Sequence, residues 1–271
     1  MPGFRIIRRS LTYLFMVVIS FISVFPFIWM LIGATNSSTD IIKGKMSFGH
    51  QLLANFQKLN ESFDIGLILW NTSKIAIVGS ILTLLISSMA GYGFEIFRSR
   101  VKEKIYQGLL LTMMIPFAAT MIPLFTLLAT LGFINSHLAV ILPGITSVYL
   151  IFYFRQSTKA FPGDLRDAAR VDGLKEWKIF LFVYIPVMRS TYAAAFIIVF
   201  MSAWNSYILP LLVLQSNEQK TFTLVISSLG SAYSPDFGAI MLVTVIATVP
   251  MLLVFFAMQK QFVQGMLGSV K

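Results

Sequence analysis

The densest cluster of charged and small side chains lies between Phe161 and Pro186, and its chemistry is that of docking, not bond making. Pro162-Gly163 breaks the incoming chain, Asp164 is placed to cap a new helix, and Gly173 is placed to end it in the left-handed conformation. Leu165, Ala168, Ala169 and Asp172 fall at helical offsets of zero, three, four and seven, so they share one face. Two adjacent alanines on such a face carry little side chain and permit close backbone approach. The expectation is a short helix that seats in a groove of another protein.

Chemistry of other kinds is missing from the sequence. There is no Gly-x-x-x-x-Gly-Lys-Ser/Thr phosphate loop, no His-Glu-x-x-His, no Gly-x-Ser-x-Gly and no carboxylate pair inside an apolar stretch. Zero cysteines exclude disulfides and thiolate metal sites, and the two histidines, His50 and His137, are too far apart in sequence to suggest a metal site. No catalytic residue and no metal ligand is therefore nominated.

The elements that must position the 161–186 segment are membrane spans. At 57% hydrophobic and 12% charged, the chain is far more apolar than a soluble domain, where roughly a quarter of residues are charged. Six apolar stretches, 11–34, 75–94, 105–131, 138–154, 192–214 and 238–258, approach the ~20 residues that cross a hydrocarbon core. The third is long and holds Pro116 and Pro123, which predicts a tilt or kink; the fourth is short and holds Pro143. The first follows Arg5, Arg8 and Arg9. Its apolar run is about twice a signal-peptide h-region and lacks a convincing cleavage site, so it reads as a retained anchor. The exported 36–72 segment is too small, and too poor in periodic apolar residues, for a domain of its own. The whole chain, 1–271, reads as one transmembrane domain with no internal repeat.

The net charge of +10 is one-sided. The N-terminus, the 95–104 loop, the 155–190 loop and the tail hold sixteen basic and six acidic residues, while the opposite loops hold five of each. By the positive-inside rule the basic side is cytoplasmic, which puts both termini there. The charge reflects topology and lipid contact, and nucleic acid is not an expected partner. The charges near the spans, Lys74 and Glu95, lie at span edges, whereas ion-coupled carriers place an ionisable group inside. A transporter whose spans hold no charge is expected to draw its energy from a partner.

The spacing Asp167-Ala168-Ala169, then Gly173, then Val183-x-Ile185-Pro186 resembles the Glu-Ala-Ala loop of binding-protein-dependent ABC importer permeases, with Asp167, Val183 and Ile185 as conservative replacements. In that family the loop forms the coupling helix held by the ATPase subunit. The competing use is an amphipathic helix on lipid, which would want large apolar residues where this face offers two alanines and an aspartate. Further segments are similar to maltose-type sugar permeases: Pro116 with Ile122-Pro-Leu, Leu131-Gly-Phe-Ile-Asn-Ser-His-Leu-Ala, Ala203-Trp-Asn-Ser-Tyr-Ile-Leu-Pro-Leu-Leu, and the tail Gln261-Phe-Val-Gln-Gly-Met. Ser206 departs from the group's Asp, which removes a polar contact there. Length and short exported loops resemble the smaller of the two permease subunits in such importers.

Trp204 and Asn205 have two uses open to them. Asn205, about 14 residues into its span, either lines a translocation path with Trp204 facing a sugar ring, or makes an interhelical hydrogen bond beside a packed Trp. Ser87 with Gly91, and Ala193–Ala195, are small faces for helix packing. Asn135 and His137 suit a turn at the outer membrane edge, and His50 is left without a role.

The resemblance implies an all-α, six-span permease of the type I importer fold, in a bacterial cytoplasmic membrane, moving a carbohydrate by alternating access. It implies a second permease, a separate ATPase dimer that binds ATP and Mg, and an extracytoplasmic sugar-binding protein; this chain itself holds no cofactor. The residues expected to couple to the ATPase are Asp167, Ala168, Ala169, Asp172 and Gly173. Glycerol phosphate or a polyol is an alternative cargo, and a secondary carrier is the alternative class.

Overall fold

The structure is a computed structural model that describes residues 2–268, with the side chains of residues 9–261 and 263. The Arg5 and Arg8 side chains and most of the 261–266 tail pattern lie outside the described residues. Among those described there is no strand. The helices in order are α1 (Pro2–Ala34), α2 (Ser38–Ile42), α3 (Leu52–Ser62), α4 (Ile65–Ile96), α5 (Arg100–Thr112), α6 (Phe117–Thr130), α7 (Leu138–Gly144) and α8 (Val148–Thr158). Then follow α9 (Gly163–Val171), α10 (Glu176–Ile179), a π-helical turn at Phe180–Tyr184, α11 (Ile185–Val187), α12 (Arg189–Trp204), α13 (Ile208–Val213), α14 (Phe222–Gly230) and α15 (Phe237–Gly268).

Helix is the physical answer to this composition, because in hydrocarbon each backbone polar group must be satisfied within its own segment. Three helices are long and apolar enough to cross a membrane unbroken, within α1, α4 and α15. The other three expected spans are each broken. The third bends by 101° between α5 and α6, a sharper break than the kink its prolines predict, with Pro116 in extended conformation ahead of α6. The fourth bends by 42° between α7 and α8, just past Pro143. The fifth stops at Trp204 and resumes at Ile208, so 192–214 is not one helix. The second expected span starts too late. Its helix begins at Ile65, which takes the last residues of the 36–72 segment and leaves Lys74 within α4 and not at an edge.

The chain gathers into two compact units, residues 1–65 with 225–249, and residues 66–224 with 250–271. In the first, Asn55 donates from Nδ2 to the carbonyls of Ala34 (2.9 Å) and Asn36 (3.0 Å), which satisfies carbonyls left open past the end of α1. Asp236 accepts from the backbone amides of Gly238 and Ala239 and so caps α15, and it also pairs with Lys58 at 3.0 Å. In the second unit, α13 packs on α6 and α7, and α8 packs on α5 and α12. Gly91 allows α4 and α8 to meet: a Cβ there would stand 2.7 Å from Cβ of Phe154 and 2.8 Å from the Arg155 nitrogen. Ser87 and the Ala193–Ala195 run are buried as well, which supports their reading as packing faces.

Candidate functional site

The 155–190 loop folds as the sequence leads one to expect, with two local corrections. Helix α9 begins two residues earlier than an Asp164 cap would allow. Pro162 occupies the cap position in extended conformation with no side-chain bond, and Asp164 instead sits in the first helical turn. There it complements the positive end of the helix, as Arg170 complements the negative end in the last turn. The C-terminus follows the expectation fully. Gly173 has φ +79°, its amide donates to the Arg170 carbonyl (3.0 Å), and the Leu174 amide donates to the Ala169 carbonyl (3.0 Å). This is the paired closure of a Schellman motif, and glycine is the residue that adopts it without strain.

The second correction concerns the shared face. Ala169 is buried (6% exposed) and cannot be part of a face offered to a partner. Its side of α9 turns inward, because α9 packs on α10 and the π-helical turn. Leu165, Asp167, Ala168 and Asp172 are exposed, together with Val171 at 88%. The outward surface is therefore Leu165, Ala168 and Asp172, joined by Asp167 and by the apolar Val171, which sequence reasoning passed over.

What fastens α9 is Glu176, which sequence reasoning did not single out. Glu176 accepts from Arg166 Nη2 (2.9 Å) and Arg170 Nε (2.7 Å), both on α9, and from the Tyr92 hydroxyl on α4 (3.2 Å). Glu176 lies outside the expected 192–214 span. Burial pushes its carboxyl up, but the bonds and charges of Arg166 and Arg170 outweigh this and hold it below the usual carboxylate range. Behind it is an aromatic cluster of Tyr92, Phe161, Phe180 and Tyr184, with the Tyr184 hydroxyl 2.7 Å from Oγ1 of Thr158. The helical run Glu176–Val187 then meets α12 at an angle of 82°, with the break at Met188.

A second ionic cluster lies beside it. Arg155, buried on α8, reaches Glu103 on α5 (2.6 Å) and Glu95 on α4 (3.4 Å), with its guanidinium 3.9 Å from the Tyr106 ring centroid. Glu95 also pairs with Arg98. One buried cation thus ties three helices together at the cytoplasmic edge of the expected topology.

Trp204 and Asn205 take different roles from a common sugar-facing one. Trp204 is 3% exposed, with Phe200 stacked at 5.4 Å and Phe222 at 6.2 Å, so its ring is core and the sugar-facing reading of Trp204 is replaced by packing. Asn205 is exposed at the C-cap of α12, past the helix and not within it, and it donates from Nδ2 to the Met201 carbonyl at 2.9 Å. Its second contact is Met251 Sδ on α15 at 3.5 Å, an interhelical bond of the kind weighed from the sequence. Asn135 does form a turn: at φ 60° it accepts on Oδ1 from the amides of Gln215 and Ser216, both 3.0 Å, and His137 Nε2 lies 3.3 Å from the Gln219 carbonyl.

Three helices long and apolar enough to cross a membrane, three broken spans and the fastened helix α9 together describe an integral membrane protein built for docking. Residues 84–268 match the family described as binding-protein-dependent transport system inner membrane component, and the chain belongs to that family. Among its relatives, the lactose transport system permease protein LacG of Rhizobium radiobacter is 62% identical over 93% of this chain and 92% of that protein. The arabinooligosaccharides transport system permease protein AraQ of Bacillus subtilis is 33% identical over 100% of this chain and 98% of that protein. The sn-glycerol-3-phosphate transport system permease protein UgpE of Brucella abortus is 26% identical over 98% and 99%. The crystal structure of a bacterial ABC transporter involved in the import of the acidic polysaccharide alginate has a chain that superposes with a TM-score of 0.83 at 18% identity, over 94% of this chain and 96% of that one. That likeness establishes the fold: a type I ABC importer permease.

Proposed function

We propose that this chain is the transmembrane permease subunit of an ATP-driven importer of an uncharged sugar or oligosaccharide, half of a translocation pathway whose energy comes from a separate ATPase. The observation that carries the ATPase coupling is the geometry of α9. It is closed by Gly173, fastened by Glu176, and leaves Leu165, Asp167, Ala168, Val171 and Asp172 outward for a partner. A sugar is favoured by the names of the relatives with the higher identities. Glycerol phosphate is the weaker cargo, because the buried cation Arg155 is already matched by Glu95 and Glu103. The partners in this reading are a second permease, an ATPase dimer holding ATP and Mg, and an extracytoplasmic binding protein. The membrane is a bacterial inner membrane with both termini cytoplasmic, supported by the one-sided basic charge.

Proteoliposomes test this. The chain co-purified with a second permease and the ATPase subunit should take up labelled lactose only with ATP and binding protein, and the chain alone should hydrolyse no ATP. In cells, cysteine at Ser37 should react with an impermeant thiol reagent and cysteine at Ser157 should not. ATP hydrolysis by the isolated chain, or the reverse labelling, would overturn the reading.

A further inference from the structure

The three broken spans meet at one place. A cavity of about 300 Å³ is lined by Gly144 and Ser147 at the break between α7 and α8, by Ser202 and Ser206 at the break between α12 and α13, and by Phe117 at the start of α6. Thr83 of α4 completes this wall, its single hydroxyl proton shared between the Gly79 carbonyl (2.7 Å) and the Gly144 carbonyl (3.1 Å) across the gap. Thr83 lies near the middle of α4, a 32-residue helix longer than a core roughly 30 Å thick requires, and Ser147 and Ser202 stand beside the breaks of the fourth and fifth spans at the same cavity. Irregular backbone within a membrane is tolerated where it is buried in protein or lines a polar cavity, and broken helices at the bilayer midplane are a common way for transporters to build a binding site.

The lining chemistry selects a ligand class. No lining side chain is an Asp, Glu, Lys, Arg or His, so a charged ligand finds no counter-charge. The wall is mostly apolar with a few hydroxyls, and Phe117 and Tyr149 are both exposed. A pyranose ring has the matching pattern: C–H faces for an aromatic ring, and hydroxyls that both donate and accept to serine. The volume lies at the lower end of small-molecule pockets.

We propose that this cavity is a direct carbohydrate subsite of this subunit, with Ser147, Ser202 and Ser206 as its polar contacts and Tyr149 and Phe117 as its apolar ones, in place of Trp204. The assignment rests on the carbohydrate reading above. The test uses the cysteine-free chain in the assembled transporter with binding protein, stalled by a non-hydrolysable nucleotide. Saturating lactose should slow modification of Ser202→Cys by a small thiol reagent at least fivefold, and should leave Ser99→Cys, in the cytoplasmic loop, unchanged. Ser202→Trp, which fills the cavity, should reduce uptake at least tenfold with the subunits still co-purifying. Lactose uptake by the wild type with Ser202→Cys labelling indifferent to lactose would overturn the subsite and leave the carbohydrate reading standing. Ser202→Cys that reacts in the lone subunit but never in the complex would mean that the second permease fills the cavity, and would overturn the subsite too. A wild-type complex that carries no carbohydrate would defeat both readings.

Discussion

Around α9, polar groups are held by full charges: two arginines converge on Glu176, and on α8 Arg155 bridges Glu95 and Glu103. In the cavity between the broken spans the polar groups are neutral, and Thr83 bonds backbone carbonyls, not ions. The difference suits the roles proposed for the two regions, coupling to an ATPase for α9 and binding of an uncharged sugar for the cavity. A helix that transmits force needs a fixed angle to the spans behind it, and converging ionic bonds restrict that angle. A site that must bind and release an uncharged ligand gains nothing from a fixed charge, and a charge there would be costly to bury.

Removing Arg155 should have the largest effect. Breaking a buried ion pair by deleting one partner strands the other, at a cost of about 3–5 kcal/mol. Arg155→Leu leaves Glu95, itself nearly buried, without its buried partner, so thermal unfolding of the purified complex should come at clearly lower temperature. Ser202→Ala, in the neutral cavity, should change stability by no more than about 0.5 kcal/mol. Similar losses from both variants would erase the contrast between the regions. Glu95→Gln in the Arg155→Leu background should recover part of the loss, because the stranded carboxylate is then gone.

Gly173 and its surroundings explain why the α9 site was legible in sequence and the cavity was not. A glycine after a short amphipathic run, with helical offsets within ten residues, states a local geometry that survives in the fold. Which way α9 faces depends on α10 and the π-helical turn, so burial of Ala169 could not be read from offsets alone. The fastening of α9 joins Glu176 to Tyr92, 84 positions earlier, a pairing that no local pattern announces. The breaks of the third and fourth spans had their prolines as signals, though not their angles. The fifth has no proline before Pro210, so Trp204 and Asn205 read as mid-helix. The cavity draws on four separate spans, and its only sequence trace is hydroxyl residues near those breaks.

The next effect in size is at the end of α9. A Cβ added at Gly173 meets no atom within 4 Å, so Gly173→Ala is penalised by its φ of +79° alone, at about 1 kcal/mol. Asparagine tolerates that conformation better. Co-purification of the ATPase should therefore fall for Gly173→Ala, fall less for Gly173→Asn, and hold for Lys175→Ala. Equal recovery across the three would remove α9 as the ATPase contact.

The smallest effect is one of pH, and it separates the two regions most cleanly. Glu176 is held below its ordinary pKa of 4.5 in the fold by Arg166 and Arg170. A carboxyl with a depressed folded pKa contributes stability above its unfolded pKa and loses it as pH falls through the folded one. The anchorage of α9 should thus be constant from neutral pH to about 5 and weaken only below the ordinary carboxylate range. Glu176 is partly exposed, so the loss is modest. Hydrogen exchange of the 165–174 amides, corrected for intrinsic rates, should show protection that is constant near neutral pH and falls over the acid interval below about pH 4.5 in the wild type. Glu176→Gln should show weaker protection that does not respond to pH in that interval. The 198–204 amides of α12, beside the neutral cavity, should stay flat in both proteins. A wild-type α9 whose protection tracks that of Glu176→Gln at every pH would mean that the carboxylate does not anchor the helix.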